Sequence, residues 1–76
     1  MRLKLTTGEV SCKVGPWNGG VRHIKALGRD FWMATMPDGY WMTETVARKE
    51  VASPGVTLRH VHECWQWIAK RLEANP

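Results

Sequence analysis

The chain has 76 residues, 43% of them hydrophobic and 24% charged, with a formal net charge of +4 and two cysteines. One domain spanning residues 1–76 is expected; such ordinary globular composition excludes disorder, and two thiols close at most one disulfide. Nothing in the sequence has the long apolar run of a signal peptide or a membrane span, so a cytoplasmic protein with reduced cysteines and no membrane contact is expected.

The first fourteen residues alternate. Leu3 and Leu5 face one way, and Val10, Cys12 and Val14 continue that face after a turn at Thr7–Gly8, while Arg2, Lys4, Ser11 and Lys13 take the other. The pattern predicts a half-buried β-hairpin with a basic outer side. Gly15-Pro16-Trp17-Asn18-Gly19-Gly20 reads as a loop, because Asn-Gly and Gly-Gly supply positive φ. A third strand follows from Val21 to Leu27 and ends at Gly28-Arg29-Asp30.

Pro37-Asp38-Gly39 marks a second hairpin, with Pro37 suited to a type I turn and Gly39 to a left-handed position. A three-residue loop pairs Met36 with Tyr40, Ala34 with Met42 and Trp32 with Glu44. The even-numbered face then holds Trp32, Ala34, Met36, Tyr40, Met42 and Val46, and the odd one holds Phe31, Met33 and Trp41 among Thr35, Thr43 and Thr45. A two-residue Asp-Gly loop would instead pair Met36 with Trp41; the longer loop is preferred because Pro37 has no amide proton for a ladder. Either way both faces carry large apolar side chains, and one helix covers only one of them.

Ser53-Pro54-Gly55 ends the last strand, and a helix is predicted over about 57–73, with Thr57 as N-cap and Val56 stapling against Val61. Leu58, Val61, Trp65, Ile68 and Leu72 form its apolar stripe, with Cys64 on the edge, and Asn75-Pro76 stops it. At 100° per residue Trp67 points away from that stripe, beside His60, Glu63 and Arg71. The expected fold is α+β: about five short antiparallel strands within 2–51, packed by one C-terminal amphipathic helix.

No motif for a reaction is present: no activated-serine elbow, no phosphate-cradling glycine loop and no spaced carboxylate pair. His60-Val61-His62-Glu63-Cys64 offers His60 and Cys64 four apart, too few ligands for zinc, and a thiol–imidazole reading of the same pair fails because Cys64 edges the core. No catalytic residue, metal or cofactor is expected. Binding is the expected business of the chain, for five tryptophans exceed what so small a core hides. Trp67, Arg71, His60, Glu63 and Trp41 are candidate protein-binding residues, with Arg71 lying over the Trp67 indole. Residues 1–29 carry six bases (Arg2, Lys4, Lys13, Arg22, Lys25 and Arg29) against one acid, a candidate basic surface for phosphates or an acidic protein.

A three-stranded sheet followed by a C-terminal helix, from Val21 onward, with Trp32-x-Ala34 and the Pro37-Asp38-Gly39 turn, resembles the arm-binding domains of phage integrases and AP2 domains. That resemblance implies a sheet that reads the major groove, yet residues 31–47 contain no Arg or Lys to do so. In size and architecture, with its Lys70-Arg71-Leu72-Glu73-Ala74-Asn75-Pro76 tail, the chain also resembles small phage-encoded inhibitors of the anti-CRISPR type. This second resemblance implies a non-enzymatic inhibitor that blocks a host protein or ribonucleoprotein complex by protein contact. The alternative is a small DNA- or RNA-binding accessory protein using the basic N-terminal strands. The two readings separate on whether bases and aromatics share one face, as nucleic-acid binding requires. A homodimer through an exposed sheet face is a further expectation.

Overall fold

The computed structural model describes residues 1–74, so the helix stop expected at Asn75-Pro76 lies outside the described residues. Six antiparallel strands form one sheet in chain order, a meander that curls about a single C-terminal helix. The strands are β1 (Arg2–Leu5), β2 (Gly8–Val14), β3 (Val21–Ala26), β4 (Arg29–Met36), β5 (Gly39–Val46) and β6 (Lys49–Ala52), and the helix is α1 (Val61–Glu73). The α+β class is as expected, with six strands in place of five.

The extra strand arises at Ala47–Arg48, a two-residue turn in which both residues take positive φ, 52° and 66°. Two successive left-handed residues match the right-handed twist of the flanking strands, the geometry normally supplied by Asn-Gly. Leu27–Gly28 makes the same kind of turn between β3 and β4, at 51° and 71°.

The β4–β5 hairpin closes through Pro37–Asp38, pairing Met36 with Gly39, Ala34 with Trp41, Met33 with Met42 and Phe31 with Glu44. This corrects both expected registers. Proline occupies a turn position where its missing amide proton is harmless, and pairing begins one residue earlier than the three-residue loop allows. The slip puts odd residues of β4 and even residues of β5 on one face, so Phe31, Met33 and Met42 are fully buried together. Trp32, Ala34, Trp41, Thr43 and Thr45 lie on the other face. With Leu3, Cys12, Ile24, Ala26, Cys64, Ile68 and Ala69 the first group forms the core, and Leu5, Val10, Val14, Trp65, Trp67 and Leu72 pack around it.

The helix begins four residues later than expected. Leu58 is held out of it by a two-bond bridge to Tyr40, at 2.7 and 2.8 Å. The N-cap is therefore His60, not Thr57, and its backbone N–H donates to the Glu63 carboxylate at 2.9 Å. The phase also differs. Val61 is 45% exposed, Cys64 and Ile68 are fully buried, and the Trp67 ring meets Phe31 edge-on at 6.0 Å. Trp67 thus faces the sheet, which corrects the expectation that it points outward.

Gly39 makes the Tyr40–Leu58 bridge possible: a Cβ on it would overlap the Leu58 carbonyl group, and its φ of 151° disfavours L side chains. Gly39→Ala is expected to destabilise the fold by about 2–3 kcal/mol, read by chemical denaturation, because close backbone approach and dihedral both oppose it. An unchanged midpoint would mean that the bridge carries no stability.

Candidate functional site

Between the inner face of the sheet and α1 lies a charged cluster. Glu44 is 2% exposed, and its carboxylate accepts from Arg29 Nε (2.7 Å), Arg29 Nη2 (2.9 Å) and Arg71 Nε (2.9 Å). Arg29 Nη1 also donates to the Arg71 carbonyl at 3.0 Å. Among the described residues no buried side-chain nitrogen or oxygen lacks a hydrogen-bond partner, and these groups tie helix to sheet. Two expected surface residues are thereby accounted for. Arg29 leaves the basic face, and Arg71 turns to Glu44 and not onto the Trp67 indole.

At the start of the helix Cys64 is buried one turn beyond His60. Burial, reinforced by the Glu63 charge, pushes the Cys64 thiol up to about 11, and Cys64 Sγ lies 3.8 Å from the His60 carbonyl. Both effects disfavour the thiolate, the form in which cysteine reacts. His60 and His62 stack at 5.5 Å on the surface, and among the described residues no three His, Cys, Asp or Glu side chains group as metal ligands.

The outer face is built differently. Strand alternation and the Leu27–Gly28 turn place His23 opposite Trp32 and Lys25 opposite Asp30, while β5 brings Thr43 opposite Trp32 and Trp41 opposite Ala34. His23 Nε2 and Asp30 Oδ1 are 2.7 Å apart, and the His23 ring sits 4.6 Å from the Trp32 ring. Trp32 Nε1 donates to Thr45 Oγ1 at 2.9 Å. Held on two sides, Trp32 still remains 38% exposed. An aromatic face fixed in this way costs little entropy when a planar ligand stacks on it.

Trp32 stands between two depressions. The larger, about 580 Å³, is lined by Asp30, Trp32, Thr43, Thr45, Ala47 and Arg48. The smaller, about 250 Å³, lies toward Pro16, Asn18 and His23. Beside it, Trp17 is 41% exposed in its loop, with the Arg22 guanidinium 4.6 Å from the ring centroid and Arg22 Nε bonded to the Gly15 carbonyl at 3.0 Å.

Arg2, Lys4, Ser11, Lys13 and Lys25 share this outer face with Trp32 and Trp41, as the pairings Arg2↔Ser11 and Lys13↔Lys25 require. Arg2 reaches Glu9 at 3.4 Å, whereas Lys4, Lys13 and Lys25 have no carboxylate within ion-pair distance among the described residues. Trp41 is therefore with the bases, half-buried, while His60, Glu63 and Trp67 lie on the helix, the last two beside a separate depression of about 200 Å³. The proposed patch of Trp67, Arg71, His60, Glu63 and Trp41 is split between three places.

Sequence reasoning named the bases and Trp41 but not the His23–Asp30–Trp32–Thr45 arrangement or Arg48. The two-residue turn at Leu27–Gly28 was the signal that fixes His23 against Trp32. Comparison with protein-family models, with curated proteins and with solved structures returns no match.

Proposed function

We propose that this protein is a non-enzymatic binding module that holds single-stranded nucleic acid on the outer face of its sheet. The observation that carries this reading is the shared face: a pinned, part-exposed Trp32 lies on the same side of the sheet as Lys4, Lys13 and Lys25, none of which makes an ion pair among the described residues. Lysines track a phosphate backbone, and an indole accepts any unpaired base on its π-face. Duplex readout is disfavoured, because β4 beyond Arg29 and all of β5 offer no base to enter a groove.

Fluorescence titration with a thymine oligonucleotide over a range of salt concentrations tests it. Three lysine–phosphate contacts on a single strand give a log–log salt slope of about −2. Replacing Lys4, Lys13 and Lys25 by alanine flattens that slope, and Trp32→Ala weakens binding by about 1–3 kcal/mol while melting is retained. Salt-independent binding, or none at low salt, overturns the reading.

A second reading is favoured by the apolar rim at the far side of the sheet, where Val46, Val51 and Val56 are more than half exposed. Nucleic acid does not cover such a rim, but a protein does. On this reading the chain is an inhibitor of the anti-CRISPR kind, covering a host nucleic-acid-processing complex by protein contact. Affinity purification from the native host, with and without nuclease, separates the two: a nuclease-resistant protein partner favours blockade. Light scattering at high concentration distinguishes both from self-association through the outer face.

A further inference from the structure

We infer that the depression between Trp32 and the Ala47–Arg48 turn is a nucleobase pocket selective for guanine, an inference that rests on the single-strand reading above. Its walls supply three kinds of contact. The Trp32 indole gives a stacking surface. Asp30 gives a carboxylate and Arg48 a cation, and Thr43 and Thr45 complete the lining with Ala47. At about 580 Å³ the depression is within the range of small-molecule sites, roughly 300–1,000 Å³.

The carboxylate decides the base. His23 Nε2 fixes Asp30 through Oδ1, and the Asp30 carboxylate makes no other hydrogen bond among the described residues. A fixed carboxylate is an acceptor only, so it selects a base edge with adjacent donors. Guanine presents two on its Watson–Crick edge, N1–H and the N2 amino group. Adenine and cytosine each set a ring-nitrogen acceptor beside one amino donor, and thymine sets its N3–H between two carbonyls. Those lone pairs would face the Asp30 charge and repel it. Unpaired bases are open to reading on that edge while they stack on an aromatic ring.

The turn at the rim supports a binding role independently. Arg48 sits at φ 66° behind Ala47 at φ 52°, positions at which asparagine and glycine are the favoured residues. A residue held in a poorly populated conformation beside a depression points to function there, and a guanidinium in that place reaches a phosphate attached to the stacked base. Arg48 makes no ion pair among the described residues.

The test uses the whole protein and five DNA pentamers that carry guanine, hypoxanthine, adenine, cytosine or thymine at the centre of thymine flanks, titrated by tryptophan fluorescence at low salt. The guanine pentamer is expected to bind roughly tenfold tighter than those with adenine, cytosine or thymine, the scale of one bidentate base contact. Hypoxanthine, which lacks the N2 amino group, falls between. Asp30→Asn is expected to reduce the guanine preference to less than about twofold, because it removes the acceptor that reads guanine and relieves the repulsion felt by the other bases. Arg48→Gly is expected to raise the melting temperature and weaken all five pentamers alike. Equal binding of all five pentamers, or a guanine preference that survives Asp30→Asn in a folded variant, overturns the guanine assignment and leaves the single-strand reading in place. Absence of binding to any pentamer overturns both.

Discussion

Glu44→Ala is expected to cost about 3–5 kcal/mol, the scale of breaking a buried ion pair from one side, because Arg29 and Arg71 are left charged against the core. For a domain this small that is most of the stability, and a denaturant titration at neutral pH reads it directly. The same carboxylate sets an acid limit. Burial pushes its pKa up, but the hydrogen bonds and charges of Arg29 and Arg71 outweigh burial, so the net shift is downward. A folded-state pKa below that of the unfolded chain gives stability that is present above about pH 4.3 and lost as pH falls through the folded value. The parent protein is therefore expected to lose stability on acidification through that window, and Glu44→Ala to lose less. Replacing Glu44, Arg29 and Arg71 together by methionine is expected to be far less damaging than Glu44→Ala, since well-packed apolar side chains can substitute for a buried ionic cluster. A triple variant as unstable as the single one would show that packing, not charge, sets the loss.

Phe31→Ala is the second large effect, expected at about 3–5 kcal/mol. Phe31 is fully buried on β4, and its ring makes a T-shaped contact with that of Trp67 on the helix. Removing it leaves a cavity on the sheet and takes the support from beneath the indole. Trp67→Ala is expected to be destabilising as well, with the two losses less than additive because the rings share one contact. A double-mutant cycle by denaturation measures that coupling. If Trp67→Ala left the midpoint unchanged, the indole would be an outward residue, and the helix phase described above would be wrong.

The alternation of β1 and β2, the loop at Gly15–Gly20 and the single C-terminal helix were all legible from period and turn chemistry. Three features were not, each for a physical reason. Ala47–Arg48 carries none of the residues that normally supply positive φ, so the turn that creates β6 left no mark in the sequence. Pro37 occupies a turn position in the two-residue loop, and the one-residue difference in register exchanged the faces assigned to β5 relative to β4. The helix stripe was centred using Leu58 and Val61. Leu58 belongs to the bridge with Tyr40 and Val61 is exposed, and without them the stripe turns toward Cys64, Ile68 and Trp67. Glu44 had a legible signal: it is a lone acid two residues beyond Met42 on an otherwise apolar face. The basic half of the candidate site could be read from charge alone, whereas the pinning of Trp32 needed the cross-strand partners His23 and Thr45.

The pairing of each strand only with its neighbours in the chain has a kinetic consequence. Each of the five hairpins closes a short loop, so zipping of the sheet carries little chain-closure entropy and need not wait for distant segments. The helix is the exception, for its ties to the sheet run from Thr6 to Glu73 and from Arg29 to Arg71. Docking of the helix is thus expected to come late, and until it occurs the inner face of the sheet, where Glu44 meets Arg29 but not yet Arg71, is open to solvent. Acid that protonates Glu44 is therefore expected to accelerate undocking of the helix before it disturbs the hairpins.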